Sequence, residues 1–462
     1  MGNNNVTVEG SGTSLTNMIT GNIGSSIFIF ALPMIIGNLA QKVYNMVDTI
    51  IVGQVDGQDA LSAVGSTSTI VSVFVAIAIG FSLGSLIVLS QLYGAKNYLR
   101  LKTGIYTLII AFLAMGVLCT IVGLAISTPV LNVVVNEALR EDAAIYYNIY
   151  LIGLPARFVY YAASAAYNAL GKSRTTLGFL LGSSILNVLL DLLFIAGFGW
   201  GVAGAAIATN ITQYLTAVVA IIMLLHYVHK TFVTEEKAPA FEWKLFGHTA
   251  KVAVPTVISQ LIVSLGYLAL TSLINRLSVD IISGYVAATK ITALCDIIMV
   301  QIGNAMATFT GQNVGAKKYE RIAKGLIASL LMCVVCCVIF IALILPLGHT
   351  FIGWFMDDSV NEAAYTAGVQ YLRITGCLYI LMGAMYVVTG VIRGAGATIA
   401  GIFVNVCNFS IRVIFAYTLF AVTGSELIIW WSNPVGWFMG LTLAFIMYMS
   451  GFWKKRRVAD KI

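Results

Sequence analysis

The sequence predicts an all-α integral membrane protein whose twelve transmembrane helices form two pseudo-symmetric six-helix bundles. Three observations carry this: an apolar composition, long apolar runs recurring along the chain, and a duplicated motif. Of the 462 residues, 59% are hydrophobic and only 10% are charged, where a soluble domain carries about 25% charged residues. A membrane-crossing helix takes about 20 apolar residues, so the supply suffices for roughly eleven to thirteen spans. Unbroken apolar runs such as Ile70 to Ile79 exclude a transmembrane β-barrel, whose strands alternate apolar and polar positions.

Hydropathy places spans at about 23–52, 60–89, 103–127, 144–170, 175–198, 202–228, 250–275, 281–308, 322–347, 368–392, 398–422 and 427–452. The longest polar interruption, His229 to His248, contains Glu235, Glu236, Lys237 and Pro239. It divides the chain into a first bundle (1–228), a cytoplasmic linker (229–248) and a second bundle with a basic tail (249–462). The halves repeat: QxxGAKxYxR occurs after span 2 as Gln91 to Arg100 and after span 8 as Gln312 to Arg321. Pro33 and Pro255 occupy corresponding places in spans 1 and 7. Six crossings per half start both repeats on the same side, which relates them by an axis along the membrane normal and, in transporters, puts the substrate path between the halves. The QxxGAK loops are expected as cytoplasmic hinges in which Gly permits a tight turn and Lys meets lipid headgroups.

The net charge of +7 reports orientation rather than a nucleic-acid partner. Lys and Arg concentrate in the even-numbered loops, the linker and the tail, whereas the odd-numbered loops hold Arg140, Arg276 and most loop acids, including Asp56, Asp357 and Asp358. By the positive-inside rule both termini are cytoplasmic, in a multi-pass protein of the cell's inner membrane. The N-terminus has no Lys or Arg before its first apolar run and Val at position 6, so neither a cleaved signal peptide nor a myristoylation site is expected. Cys333, Cys336 and Cys337 cluster without a histidine at zinc-ligand spacing and read as packing residues. Gly171-Lys172-Ser173 lacks the strand and spacing of a phosphate-binding loop.

A charge inside a span is costly and marks a functional candidate. Three acids qualify: Asp48 in span 1, Asp191 in span 5 and Asp296 in span 8. Tyr44 and Asn187 precede the first two by one helical turn and share their faces. The small-residue run 202–209 in span 6 lets a helix approach closely while Thr209 offers a hydroxyl. Carboxylates, an amide oxygen and a hydroxyl suit H+ or Na+. The competing reading pairs these acids with Lys42, Arg157 or Arg412; Asp296 has no evident partner. Phe158, Tyr160, Tyr161, Met382, Met385 and Tyr386 could line an adaptable cavity.

Here the residues carry a family resemblance. YNMVDTIIVGQ from Tyr44, QxxGAK in both halves, NVLLDLLFI from Asn187 and VIRGAG at 391–396, on a double six-span plan, resemble the multidrug and toxic compound extrusion (MATE) family over all twelve spans, closest to its DinF-like branch. The resemblance implies a coupling-ion site of Asp48, Asn187 and Asp191, with the Thr209 hydroxyl, the Ala205 carbonyl and Tyr44 beside it; these would be the metal ligands if Na+ is the ion. It also implies a bend of span 1 at Pro33 that responds to protonation of Asp48. The NorM-like branch has acids in spans 7 and 10, where this chain has Gln260 and none, so Asp296 and Gln260 stand only as further candidates in the second half. The expected activity is export of bulky, often cationic organic compounds in antiport with H+ or Na+ by alternating access. Small molecules and the bilayer are its partners, no cofactor is needed, and the chain is a monomer. The rivals are a flippase of lipid-linked oligosaccharide, which would draw on Arg157, Arg373 and Arg412 for pyrophosphate, and an intramembrane enzyme, which the histidines at span ends and in loops do not favour.

Overall fold

The computed structural model describes residues 17–55, 57–355 and 362–455. Asp56, Asp357, Asp358, Arg456, Arg457 and Lys461 of the loop charges lie outside them. In chain order the helices are α1 (Ile23–Val55), α2 (Gly57–Gly94), α3 (Tyr98–Ala125), α4 (Ser127–Val134), α5 (Arg140–Ile152), α6 (Leu154–Ala169), α7 (Ser173–Asp191), α8 (Gly201–Thr231), α9 (Trp243–Ile274), α10 (Val279–Gly315), α11 (Tyr319–Gly353), α12 (Glu362–Gly394), α13 (Thr398–Thr423) and α14 (Glu426–Met449). Among the described residues ten helices are long and apolar enough to cross a membrane. The expected fourth span is two helices, because the chain breaks at Gly153 and restarts with Pro155 in the first turn of α6, where proline loses no helical hydrogen bond. The twelfth is α14, whose apolar length is interrupted by Ser432, Asn433 and Pro434. The short helix α4 was not foreseen.

Lipid offers no hydrogen bonds, so polar side chains inside spans must find partners within the protein. Many fold back on their own helix: Thr67 donates to the Ala63 carbonyl at 3.1 Å, Ser85 to Phe81 at 2.8 Å and Thr375 to Tyr371 at 2.7 Å. Pro33 does not interrupt α1, which runs through it as a helix.

The described chain falls into two compact units, one of residues 32–257, the other of 17–31 and 258–455. Helices α1 and α9 therefore each pass from one unit to the other, within three residues of Pro33 and Pro255. In the first unit, α9 crosses α2 where Gly80 and Gly84 leave no room for a side chain; a Cβ on Gly80 would lie 2.6 Å from the Val257 Cα. In the second, α10 and α12 meet backbone to backbone, with a Cβ on Gly368 placed 2.8 Å from the Gly284 carbonyl oxygen and one on Gly303 2.9 Å from that of Tyr386. Small residues substitute for apolar burial as the means of bringing membrane helices together.

The duplicated loops do more than turn. In each unit the motif's Arg grips the segment that leads into a repeat's first helix: Arg100 pairs with Glu242 at 2.6 Å, and Arg321 donates to the Gly21 and Met18 carbonyls at 2.7 and 3.3 Å. Lys102 donates to the Phe232 carbonyl at 3.2 Å, as Asn313 does to Met18 at 3.0 Å. The left-handed residue of the turn is not the glycine but the lysine, with φ 56° at Lys96 and 59° at Lys317. Gly171 (φ 78°) and Gly396 (φ 94°) take the same place after α6 and α12. All four close their helices identically. Asn97, Lys318, Lys172 and Ala397 each donate from the backbone to the carbonyl five residues back, at 3.1, 2.8, 2.8 and 3.1 Å, the Schellman arrangement that satisfies otherwise orphaned carbonyls.

A side chain in the left-handed region costs about 1 kcal/mol. Lys96→Gly and Lys317→Gly should each raise the unfolding midpoint of the purified protein, and Gly171→Ala and Gly396→Ala should lower it; no change at any of the four positions would mean that the loops do not hold this turn.

Candidate functional site

The first unit encloses a cavity of about 470 Å³. Helix α1 lines it with Gln41, Tyr44, Asn45 and Asp48, spaced as one face of a helix. Helix α2 adds Ser68 and Ser72, α5 adds Tyr146 and Tyr150, α6 adds Arg157, Tyr160 and Tyr161, α7 adds Ser183 and Ser184, and α8 adds Thr209, Gln213 and Thr216. Glycine fixes how closely α1 meets α7: a Cβ on Gly37 would lie 2.8 Å from Leu180 Cδ1. Three turns further along α1, Asp48 comes level with Asp191.

Asp191 is fully buried and is the last residue of α7, which continues as a π-helical turn, Leu192–Gly197. Such widened turns are rare and often accompany functional sites. The turn is held from α8, where the backbone of Phe194 lies 3.2 Å from where a Gly204 Cβ would be. The Asp48 and Asp191 carboxyls adjoin closely enough to form a hydrogen bond when one carries a proton. Asn187 Nδ2 donates to Asp191 Oδ2 at 3.0 Å. Oδ1 of each aspartate is buried without a donor. Tyr44 reaches the Thr209 hydroxyl. Ala205 is buried one turn before Thr209, in an apolar cluster with Val52, Tyr146, Ile195, Val202 and Ala206.

Tyr44, Asp48, Asn187, Asp191, Ala205 and Thr209 are thus brought together. Asp48, Tyr44 and Thr209 face the cavity, and Asp191 and Asn187 stand behind them. Neither aspartate pairs with Lys42, Arg157 or Arg412: Lys42 is exposed, Arg412 donates to Asn433, and Arg157 lies with its Cζ 4.1 Å from the centre of the Tyr150 ring. The arrangement offers two carboxylates, an amide oxygen and a hydroxyl to a small hard cation, with no positive side chain among them.

Asp296 and Gln260 belong to the second unit. Asp296 does have neighbours of consequence, its charge acting on Tyr267, Tyr379 and Tyr386. Of the aromatic and methionine candidates, Tyr160 and Tyr161 line the cavity. Phe158 instead packs on Phe112 with ring centres 6.4 Å apart, and Met382 and Met385 are buried. Lys172 is occupied on the face of Tyr227, 3.6 Å from the ring centre. Sequence reasoning missed Gln41, Ser68, Ser183, Tyr146, Tyr150 and Gln213. Uncharged polar residues at helical spacing inside spans, as at 41/44/45 and 209/213/216, were the available signal.

The sequence model of the MatE family matches the chain twice, over residues 33–193 and 255–418. The "Probable multidrug resistance protein YoeA" of Bacillus subtilis (strain 168) is 25% identical over 446 residues, covering 95% of this chain and 96% of that protein. The "Multidrug export protein MepA" of Staphylococcus aureus (strain bovine RF122 / ET3-1) is 23% identical over 404 residues, 86% of this chain and 87% of its own. A solved structure described as the outward-facing conformation of a multidrug resistance MATE family transporter of the MOP superfamily superposes with a TM-score of 0.85 at 20% identity, over 98% of this chain and 99% of that one. The fold is therefore shared across twelve membrane helices in two six-helix halves.

Filling the space at Gly204 would push on the π-helical turn that carries Asp191. Gly204→Val should destabilise by about 1–3 kcal/mol, as overpacking does, seen as a lower unfolding midpoint. Gly182→Val, where nothing lies within 4 Å, should leave it in place; equal effects would mean that the turn is not held from α8.

Proposed function

The chain belongs to the MatE family, and from that premise we propose that it is a secondary active exporter of bulky, often cationic organic compounds, driven by inward H+ or Na+ at Asp48 and Asp191. The observation that carries this reading is the pair of adjoining carboxyls, each with one buried oxygen that receives no hydrogen bond, set in apolar helices beside a cavity of about 470 Å³. A cation entering from the cavity meets Asp48 first, because Asp191 is sealed behind it. Asn187, Thr209 and the Ala205 carbonyl would complete an oxygen shell for Na+; a proton would instead bridge the two carboxyls. Either ion removes the negative charge that attracts a cationic substrate to the tyrosine-lined wall. Coupling then follows, because ion and substrate compete for one charge and a shift between two conformations requires such differential binding.

The same reading puts both termini in the cytoplasm, the protein in the cell membrane, no cofactor in its chemistry and a single chain as the working unit. Asp296 and Gln260 remain proposals for an additional cation contact in the second unit, and Pro33 for a hinge in α1. Pro33→Ala with undiminished transport would remove the hinge.

The test is efflux of a cationic dye from proteoliposomes under pH and Na+ gradients imposed separately. One gradient should drive efflux. Asp48→Asn and Asp191→Asn should each reduce it by more than about tenfold, since a lost charge contact in a dry site is worth at least about 1.4 kcal/mol, with the protein still reaching the membrane. Wild-type efflux in both variants would remove the site, and efflux indifferent to both gradients would remove the antiport.

A further inference from the structure

Among the described residues, Arg157 is the one cation lining the first unit's cavity, and the proposed coupling site makes no use of it. It is only 9% exposed, and among the described residues its guanidinium forms neither an ion pair nor a hydrogen bond. Burying a guanidinium without an acceptor is unfavourable. Its planar fork of donors matches a carboxylate in two parallel hydrogen bonds. The Tyr150 ring, which also lines the cavity, lies 4.1 Å from Cζ; a ring face holds the guanidinium without taking up its N–H donors. One helical turn on, Tyr160 also lines the cavity, and its hydroxyl is buried with no partner. Arg157 and Tyr160 thus present unused donors from one face of α6, while Asp48 lines the same cavity from α1.

We propose that Arg157, assisted by the Tyr160 hydroxyl, is a carboxylate-binding subsite that fits this cavity to zwitterionic amphiphiles, whose cationic end lies toward Asp48 and whose carboxylate lies on α6. The inference rests on the cavity being the substrate's place, and it specifies the substrate class. Arg157 also completes the charge pairing: once the ligand's cationic end takes the coupling ion's place at Asp48, the guanidinium is left to pair with its carboxylate.

The test uses a matched pair of dyes, rhodamine 110, which carries a carboxyl, and rhodamine 123, its methyl ester, with dissociation constants for the purified full-length protein read by fluorescence anisotropy. The wild type should bind both. Arg157→Gln should shift the acid-to-ester preference about tenfold toward the ester, Tyr160→Phe should shift it the same way by less, and Arg157→Lys should fall between wild type and Arg157→Gln. A preference unchanged by Arg157→Gln, a wild type that does not bind the acid, or equal loss of both dyes in Arg157→Gln and Arg157→Lys would overturn the subsite. Transport is read separately: absence of gradient-driven efflux of the ester by the wild type counts against the export reading and leaves the binding preference standing.

Discussion

Two carboxyls set side by side inside a membrane repel one another strongly when both are charged. At an effective dielectric constant of 20, unit charges 4 Å apart interact by about 4 kcal/mol, and each also bears a cost for leaving water. Asp48 and Asp191 have no basic side chain to relieve this. Asn187 supplies a single donor, at 3.0 Å, and Oδ1 of each acid has none. A bound cation or a shared proton would relieve this deficit, which is the basis of the proposed coupling site. A π-helical turn follows Asp191 directly, Gly37 lets α1 close on α7, Gly204 lets α8 close on that turn, and an apolar cluster forms around Ala205.

The same economy of charge shapes the rest of the molecule. The basic residues of the duplicated loops act largely on backbone carbonyls, as Lys102 and Arg321 do, and hold the two segments that lead into α1 and α9. These are the helices that pass from one unit to the other, beside Pro33 and Pro255.

Much of this was legible in the chain. Long apolar runs located the membrane helices, although several ends lie six or seven residues beyond the expected ones, as at the start of α9 and the end of α10, because hydropathy marks the apolar middle of a helix and not its polar ends. The acids stood out because charge inside a span is rare, and Tyr44 and Asn187 followed from one-turn spacing. What depends on helix rotation and on local backbone did not show. The run containing Phe158, Tyr160 and Tyr161 reads alike along its length, yet Tyr160 and Tyr161 face the cavity and Phe158 faces Phe112. The break at Gly153, the π-helical turn after Asp191 and the left-handed Lys96 are backbone choices set by packing rather than by local propensity. Asp296 appeared isolated because its tyrosine neighbours come from other helices.

The central claim, that the two aspartates hold one coupling cation in competition with substrate, is tested most directly by equilibrium binding. The affinity of the purified protein for a cationic dye would be measured against Na+ concentration at fixed pH and against pH without Na+. The account predicts that one of the two cations weakens dye binding in the manner of a single competing ion, and that this dependence disappears in Asp48→Asn and in Asp191→Asn. Dye affinity independent of both cations in the wild type, or a dependence that survives in both variants, would contradict it.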